Sequence, residues 1–353
     1  MSFNIGIAGA TGVTGEVTLR VLEERRFPVG KLRLFASRRS AGQTIPWRGQ
    51  QYRVEALEDG NFAGLDLVIS ATSGALAREW APRMVAAGAI VVDQSSGFRQ
   101  DPSVPLVVPE INPEALRSHR GIVAGPNCTT AVAVMAIAPL HRAFGVASVI
   151  SSSYQAMSGK GRDGMAEFLD FSARAVRQSE GLRGHRALDL DSPEQFPHVP
   201  SFNLFPQCEE FRPGEDTSTE EEKMQAELRK MLDAPQMAVH ATAVRVPVLV
   251  GHSVSLTLSL TKAASVTDAR RALASFPGVR VLDEPWSKQY PTPLQAAGID
   301  DVLVGRVRSV PFVANGLSVF ASGDNLRKGN ALNAIQVAEI LLGVTASAAP
   351  PAT

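Results

Sequence analysis

The chain has 353 residues, 44% of them hydrophobic and 20% charged, with 35 basic against 35 acidic side chains. That is the composition of a soluble globular protein of two domains, and a formal charge of zero excludes a global field that would steer it to nucleic acid or an anionic membrane. Two cysteines make no disulfide framework and no apolar run approaches the roughly 18 residues of a spanning helix, so we expect a cytoplasmic chain with no nucleic-acid partner, no membrane partner and no metal site.

The opening MSFNIGIAGATG carries no basic and apolar leader pattern and enters a strand at once. FNIGIAG predicts a buried strand, and GEVTLRVLEER a helix with Val17 and Val21 on one face. KLRLFAS, LDLVISAT, AIVVDQSS and GIVAG predict further strands, with helices ALAREWAPRMVAAG and CTTAVAVMAIAPLHRAFG among them. This alternation predicts an α/β domain with a parallel, Rossmann-type sheet. After about residue 145 the pattern changes. VASVISSSYQAM, VHATAVRVPVLV, GHSVSLTLSL, DVLVGRVRSV and GLSVFASG read as strands with few helices between them, hence a mixed or largely antiparallel sheet in a second domain. Residues 180–217 are rich in Pro, Gly, Ser and charge, too long for an ordinary connection, and read as a functional or subunit-contacting excursion. The helix RKGNALNAIQVAEILLG is expected to return to the first domain, and the tail TASAAPPAT to fray.

The first strand runs into GATGVTG and then a helix. Gly9, Gly12 and Gly15 permit a tight turn and close backbone approach, and the helix N–H groups point at a pyrophosphate. The whole turn, with Thr11, Val13 and Thr14, is therefore a candidate dinucleotide cradle; the alternative is a loop that merely packs tightly. The second strand ends in Ser37, Arg38, Arg39 and Ser40, where an NAD site usually places an acid for the ribose 2′-OH. Two guanidinium groups and two hydroxyls suit a 2′-phosphate, hence NADP(H); the alternative is a solvated basic loop.

Cys128 stands where the GIVAG strand gives way to a helix. A helix N-terminus favours thiolate over thiol, so Cys128 is the candidate nucleophile, whereas Cys208 reads as a small buried residue. Of the six histidines, His119, His141, His185, His198 and His240 default to surface or packing roles. His252 lies at a turn between two apolar strands and is expected to face a cleft. Arg245, in an otherwise apolar strand, needs an anionic partner, either a substrate or an internal salt bridge.

GATGVTG, FASRRSAG, VDQSSGFR, VPEIN, GPNCTT, SSYQAMSGKG, TEEEKM, VRVPVLVGHS, PTPLQAAG and GDNLRKGNALNAIQ occur in this order over nearly the whole chain. Together they resemble the bacterial aspartate-β-semialdehyde dehydrogenase family. The resemblance implies a dinucleotide-binding domain (1–127 with 325–353) and an α+β catalytic and dimerisation domain (128–324), in a glyceraldehyde-3-phosphate-dehydrogenase-like fold. It implies NADPH-dependent reduction of L-aspartyl 4-phosphate to L-aspartate 4-semialdehyde with release of inorganic phosphate, a step toward lysine (through diaminopimelate), threonine, methionine and isoleucine. It makes Cys128 the acyl-thioester nucleophile, His252 the general acid/base and Gln155 the group that orients the acyl intermediate. Arg99 and Lys223 match phosphate-binding positions, with Asn127 beside the nucleophile; Arg245 matches the substrate-carboxylate clamp and Glu220 the partner of the substrate amine. Ser158, Gly159 and Asn325 match cofactor contacts, and Arg39 and Ser40 the 2′-phosphate positions. The implied assembly is a homodimer or homotetramer. Read without the resemblance, TSTEEEKMQAELRKM is a capped, solvated helix.

This chain departs from the family pattern at Gly125, where Asn is usual, at Lys160, where a small residue is usual, and in the strand 253–260, which lacks an acid. N-acetyl-γ-glutamyl-phosphate reductase and acyl-CoA reductases share the scaffold, and a catalytically silent paralogue acting as a binding subunit is the rival outside enzymes.

Overall fold

The computed structural model describes residues 1–178, 180, 183–184 and 190–345. His185 and the tail from Ala346 lie outside the described residues. The chain divides into two compact units: Met1–Ala138 with Ala226–Gln236 and the chain from Leu326, and Pro139–Gln225 with Met237–Asn325. Among the described residues no helix is long and apolar enough to cross a membrane.

The first unit is built on seven strands: β1 (Phe3–Ala8), β2 (Val29–Ala36), β3 (Thr44–Trp47), β4 (Gln50–Ala56), β5 (Leu67–Ser70), β6 (Ile90–Asp93) and β7 (Ile122–Ala124). Their order is β3-β4-β2-β1-β5-β6-β7, and every neighbouring pair is parallel except β3 with β4. Continuous apolar runs such as Leu67–Ile69 are fully buried, as a sheet covered on both faces requires. The β3–β4 hairpin is not announced by TIPWRGQQYRVEA, where Pro46 and polar residues blur the alternation. Pro46 is tolerated because β3 is an edge, and the hairpin is anchored by Trp47, whose Nε1 donates to the Leu19 carbonyl at 2.8 Å. Helices α1 (Val13–Glu24), α2 (Gly74–Ala86) and α3 (Cys128–Phe144) follow β1, β5 and β7. The final helix, Leu332–Leu341, is preceded by a π-turn over Arg327–Ala331. It does return to the first unit, where Glu339 pairs with both Nε and Nη2 of Arg25 at 2.7 Å.

The second unit holds β8 (Val146–Gln155), β9 (Ala238–Arg245), β10 (His252–Leu260), β11 (Val279–Val281), β12 (Val302–Val310) and β13 (Gly316–Gly323), ordered β11-β12-β13-β10-β8-β9. The sheet is mixed, as the sequence suggests: β10 runs antiparallel to β8 and β13, while β8 and β9 are parallel. SVSLTLSL alternates buried and half-buried positions along β10, the signature of one covered face. The strand read in VHATAVRVPVLV stops at Arg245, two residues before Pro247, which has no N–H for a ladder. This register has a chemical consequence. Gln155 ends β8 directly opposite Arg245, which ends β9, and antiparallel β10 begins at His252, so three candidate side chains arrive at one end of one sheet. Helix α4 (Gly161–Arg177) belongs to this unit, and α5 (Thr219–Met231) starts in it and belongs to the first unit from Ala226.

Candidate active site

In the first unit, β1 ends at a turn that fits a dinucleotide. Gly9 has φ +85°, and a Cβ there would strike the Ala71 carbonyl; a Cβ on Gly15 would lie 2.5 Å from the Gly9 carbonyl. Gly12 is different. A Cβ there would meet only the Gly9 carbonyl at 3.4 Å, so its bareness leaves open space over the start of α1. Gly12 caps that helix with no side-chain hydrogen bond. A helix N-terminus with no side-chain cap, at the C-terminal end of a parallel strand and with Thr11, Val13 and Thr14 around it, suits a pyrophosphate. The Ser37–Ser40 segment is a short 3₁₀ turn at the end of β2. Its two arginines are not equivalent. Arg38 donates to Asp59 at 3.0 Å and receives Glu58 at its backbone N–H, whereas exposed Arg39 has no partner among the described residues.

Cys128 is the first residue of α3, half-buried, with Asn127 as its cap: Asn127 Oδ1 accepts from the N–H groups of Thr129 at 2.9 Å and Thr130 at 3.1 Å. The helix-terminus placement read from the sequence therefore holds, and Asn127 supports it. Arg99 is 7% exposed. It donates from Nε to the Gly125 carbonyl at 2.9 Å, from Nη2 to the Gln94 carbonyl at 2.7 Å and from Nη1 to Glu227 at 3.4 Å. The Gly125 departure also has a local reason, because a Cβ there would collide with the Gln94 carboxamide, which fills the space instead. Against Cys128 lies Gly329 in the π-turn, where a Cβ would be 2.9 Å from Cys128 Cβ. Next to it, fully buried Lys328 pairs with Glu110 at 2.6 Å and Gln336 at 2.8 Å. Burial pushes the Glu110 carboxyl up, but the Lys328 charge and the hydrogen bonds carry it below its ordinary value.

The second unit gathers His252, Arg245, Gln155, Glu220, Lys223, Ser158, Gly159 and Asn325. His252 has no exposed surface, and its Nδ1 accepts the Ala156 N–H at 3.0 Å. That bond assigns the proton to Nε2. Burial, aided by the positive charge of Arg245, holds the imidazole well below its ordinary pKa, so it is neutral at physiological pH. Arg245 is 3% exposed and donates from Nη1 to the Ala156 carbonyl at 2.7 Å; among the described residues it has no acidic partner. The internal salt bridge considered as its alternative is thus absent there. Gly159 lies against both groups, with a Cβ placed 2.9 Å from Arg245 Nη1. Ser158 Oγ and the Asn325 carboxamide are hydrogen-bonded at 2.9 Å, and Asn325 Oδ1 accepts the Gly251 N–H at 2.9 Å. Gln155 donates to Glu220 at 3.2 Å, and Lys223 Nζ lies 3.4 Å from Glu220. The TSTEEEKM helix is capped as expected, with Ser218 and Glu221 exchanging backbone N–H bonds at 3.4 and 2.8 Å. It is not the solvated helix that composition alone suggests: Glu220, Glu221 and Glu227 are buried.

Sequence reasoning missed Gln94, Glu227, Gly329 and the Lys328–Glu110 pair. Each lies in a stretch whose local pattern is ordinary, and each matters through a partner far away in the chain. Cys208 is buried, as read.

This fold, with a dinucleotide-type turn and a cysteine at a helix N-terminus in one unit and a neutral histidine beside a buried arginine in the other, defines a class: a two-domain oxidoreductase. Residues 4–119 match the family described as "Semialdehyde dehydrogenase, NAD binding domain", and residues 137–328 match "Semialdehyde dehydrogenase, dimerisation domain". The chain is 41% identical over 346 residues to the aspartate-semialdehyde dehydrogenase of Aquifex aeolicus, covering 97% of this chain and 98% of that one. Aspartate semialdehyde dehydrogenase II of Vibrio cholerae, solved in complex with ASA, superposes with a TM-score of 0.89 at 35% identity, over 97% of this chain and 99% of that one. The Candida albicans aspartate semialdehyde dehydrogenase solved with NADP gives a TM-score of 0.72 at 25% identity, over 97% and 99%. The chain belongs to the aspartate-semialdehyde dehydrogenase family.

Proposed function

We propose that the protein reduces L-aspartyl 4-phosphate to L-aspartate 4-semialdehyde with release of inorganic phosphate. The observation that carries the reading is Arg245: a buried cation with no carboxylate partner among the described residues, beside a neutral histidine, is costly unless a ligand completes it. An α-carboxylate suits its two-pronged geometry, and Glu220 suits the substrate amine. An N-acetylated substrate has no ammonium group to offer that carboxylate.

Each proposed role follows from the atoms. Cys128, as thiolate at the start of α3, attacks the acyl carbon; the bond to the phosphate oxygen breaks and a thioester forms. Arg99 and Lys223 receive the departing phosphate, and Gln155 orients the acyl group. The nicotinamide dinucleotide held at Gly9–Gly15, with Ser158, Gly159 and Asn325, supplies hydride when bound. His252 bears its proton on Nε2, and so donates a hydrogen bond to the oxyanion that develops on the acyl carbon. Collapse of that oxyanion expels Cys128 as thiolate and closes the cycle; the one proton the net reaction consumes is taken up from solvent by the released phosphate. Exposed Arg39, with Ser37 and Ser40, favours NADP(H); Arg38 contributes less because Asp59 holds it. The dimerisation-type sequence at 137–328 supports a homodimer, with a tetramer as the larger alternative.

Initial rates of phosphate-dependent oxidation of aspartate semialdehyde and of N-acetylglutamate semialdehyde, each with NADP and NAD, test the reading. Turnover of the first with NADP is expected. Preference for the N-acetylated substrate would overturn it.

A further inference from the structure

Glu227 is a wholly buried carboxylate in the second half of α5 with no part in the reaction above. Its Oε2 accepts the Asn127 N–H at 2.6 Å, and its Oε1 faces Arg99 Nη1 at 3.4 Å. One turn on, Lys230 Nζ donates to the carbonyls of Arg99 and Asp101 at 2.8 Å and of Val104 at 3.0 Å. The end of α5 thus grips the Asn127–Cys128 turn from one side and the Arg99–Val104 loop from the other. Asp93 also feels the Arg99 charge; it is itself buried and pushed up by that burial, with its Oδ2 accepting from Ser95 Oγ at 2.6 Å.

A neutral amide would hold the Asn127 N–H as well as a carboxylate does, and at far lower desolvation cost. The charge on Glu227 faces two cations: Lys230, whose Nζ is already spent on three carbonyls, and Arg99, which it meets at 3.4 Å. Arg99, already bound to two carbonyls, has that charge offset by Glu227, so an anion arriving at Arg99 meets an attenuated cation. We propose that Glu227 is a positioning residue that fixes the cap of Cys128 and weakens the grip of Arg99 on inorganic phosphate, which helps the product leave. The proposal rests on Arg99 being a phosphate contact.

The test needs no cofactor. Iodoacetamide alkylation of Cys128 is followed by intact mass at increasing inorganic phosphate, which gives the concentration for half-protection. Glu227→Gln is expected to lower that concentration by about threefold or more, because the offsetting charge is gone. Glu227→Ala is expected to slow alkylation without phosphate, because the Asn127 anchor is lost. Arg99→Ala is the control and is expected to raise half-protection. If Arg99→Ala leaves it unchanged, the Arg99 assignment fails. If Arg99→Ala raises it while Glu227→Gln leaves it unchanged or raises it, the Glu227 proposal alone fails. If Glu227→Gln does not fold by circular dichroism, Glu227→Asp decides: with its charge kept, half-protection should stay within about twofold of the parent, and a larger change in either direction overturns the proposal.

Discussion

Arg99 in the first unit and Arg245 in the second are both buried arginines read from the sequence as anion contacts, yet their surroundings are opposite. Arg99 is built in, with two carbonyls and the Glu227 carboxylate on its donors. Arg245 has one carbonyl and no acid among the described residues. Burial of a cation is therefore not by itself evidence of a ligand site. What separates an anion contact held at reduced strength from one held at full strength is how far its charge is already answered.

That contrast is breakable, and the largest effects come first. Cys128→Ala should abolish turnover, with iodoacetate labelling Cys128 well before buried Cys208 in the parent; normal activity in the variant would remove the covalent mechanism. Next come the two arginines. Arg99→Leu takes the ion-paired arginine away from buried Glu227, a loss of up to about 3–5 kcal/mol by analogy with broken buried pairs, so its melting temperature should fall by several degrees. Arg245→Leu removes an unanswered charge and should leave the melting temperature level or raised while activity collapses. Arg245→Lys keeps charge but loses the fork, for an expected loss of about 1–3 kcal/mol in transition-state binding, read as kcat/KM. Equal destabilisation by the two leucine variants would erase the distinction.

The pH response of the second unit is smaller. Native His252 resists protonation, so as pH falls below the ordinary imidazole value of about 6.5 the unfolded chain takes up a proton that the native state refuses. Stability should therefore decline with falling pH from that point, and melting curves of His252→Gln should lose that part of the decline. A steeper acid loss in His252→Gln than in the parent would contradict the buried neutral ring. The smallest effect is at the exposed 37–40 turn. Arg39→Ala should raise KM for NADP more than Arg38→Ala, with KM for NAD nearly unchanged and the difference shrinking at high salt. If the double variant keeps the parental NADP/NAD ratio of kcat/KM, the 2′-phosphate assignment fails.

Much of this was legible in the chain itself. The alternation of apolar strands and helices, the glycine turn after β1, the capping box before α5 and the cysteine at the head of α3 are all local. Backbone hydrogen bonding has fixed periods, and glycine, proline and capping residues act within a few positions, so a short window carries the information. The edge hairpin escaped because its alternation is broken by Pro46, and the end of β9 was misplaced because apolar residues continue past Pro247.

What only the tertiary structure decided is which charge meets which. Glu227 lies a hundred positions from the Asn127 it anchors, Gln94 takes the room that Gly125 vacates, Asp59 claims Arg38 but not Arg39, and among the described residues no acid pairs with Arg245. These pairings are set by packing, and the cost of a buried charge depends on a few ångströms that no periodicity encodes. Sequence alone determined the architecture and named the chemical groups; the folded chain determined which of those groups are already satisfied and which are still waiting for a ligand.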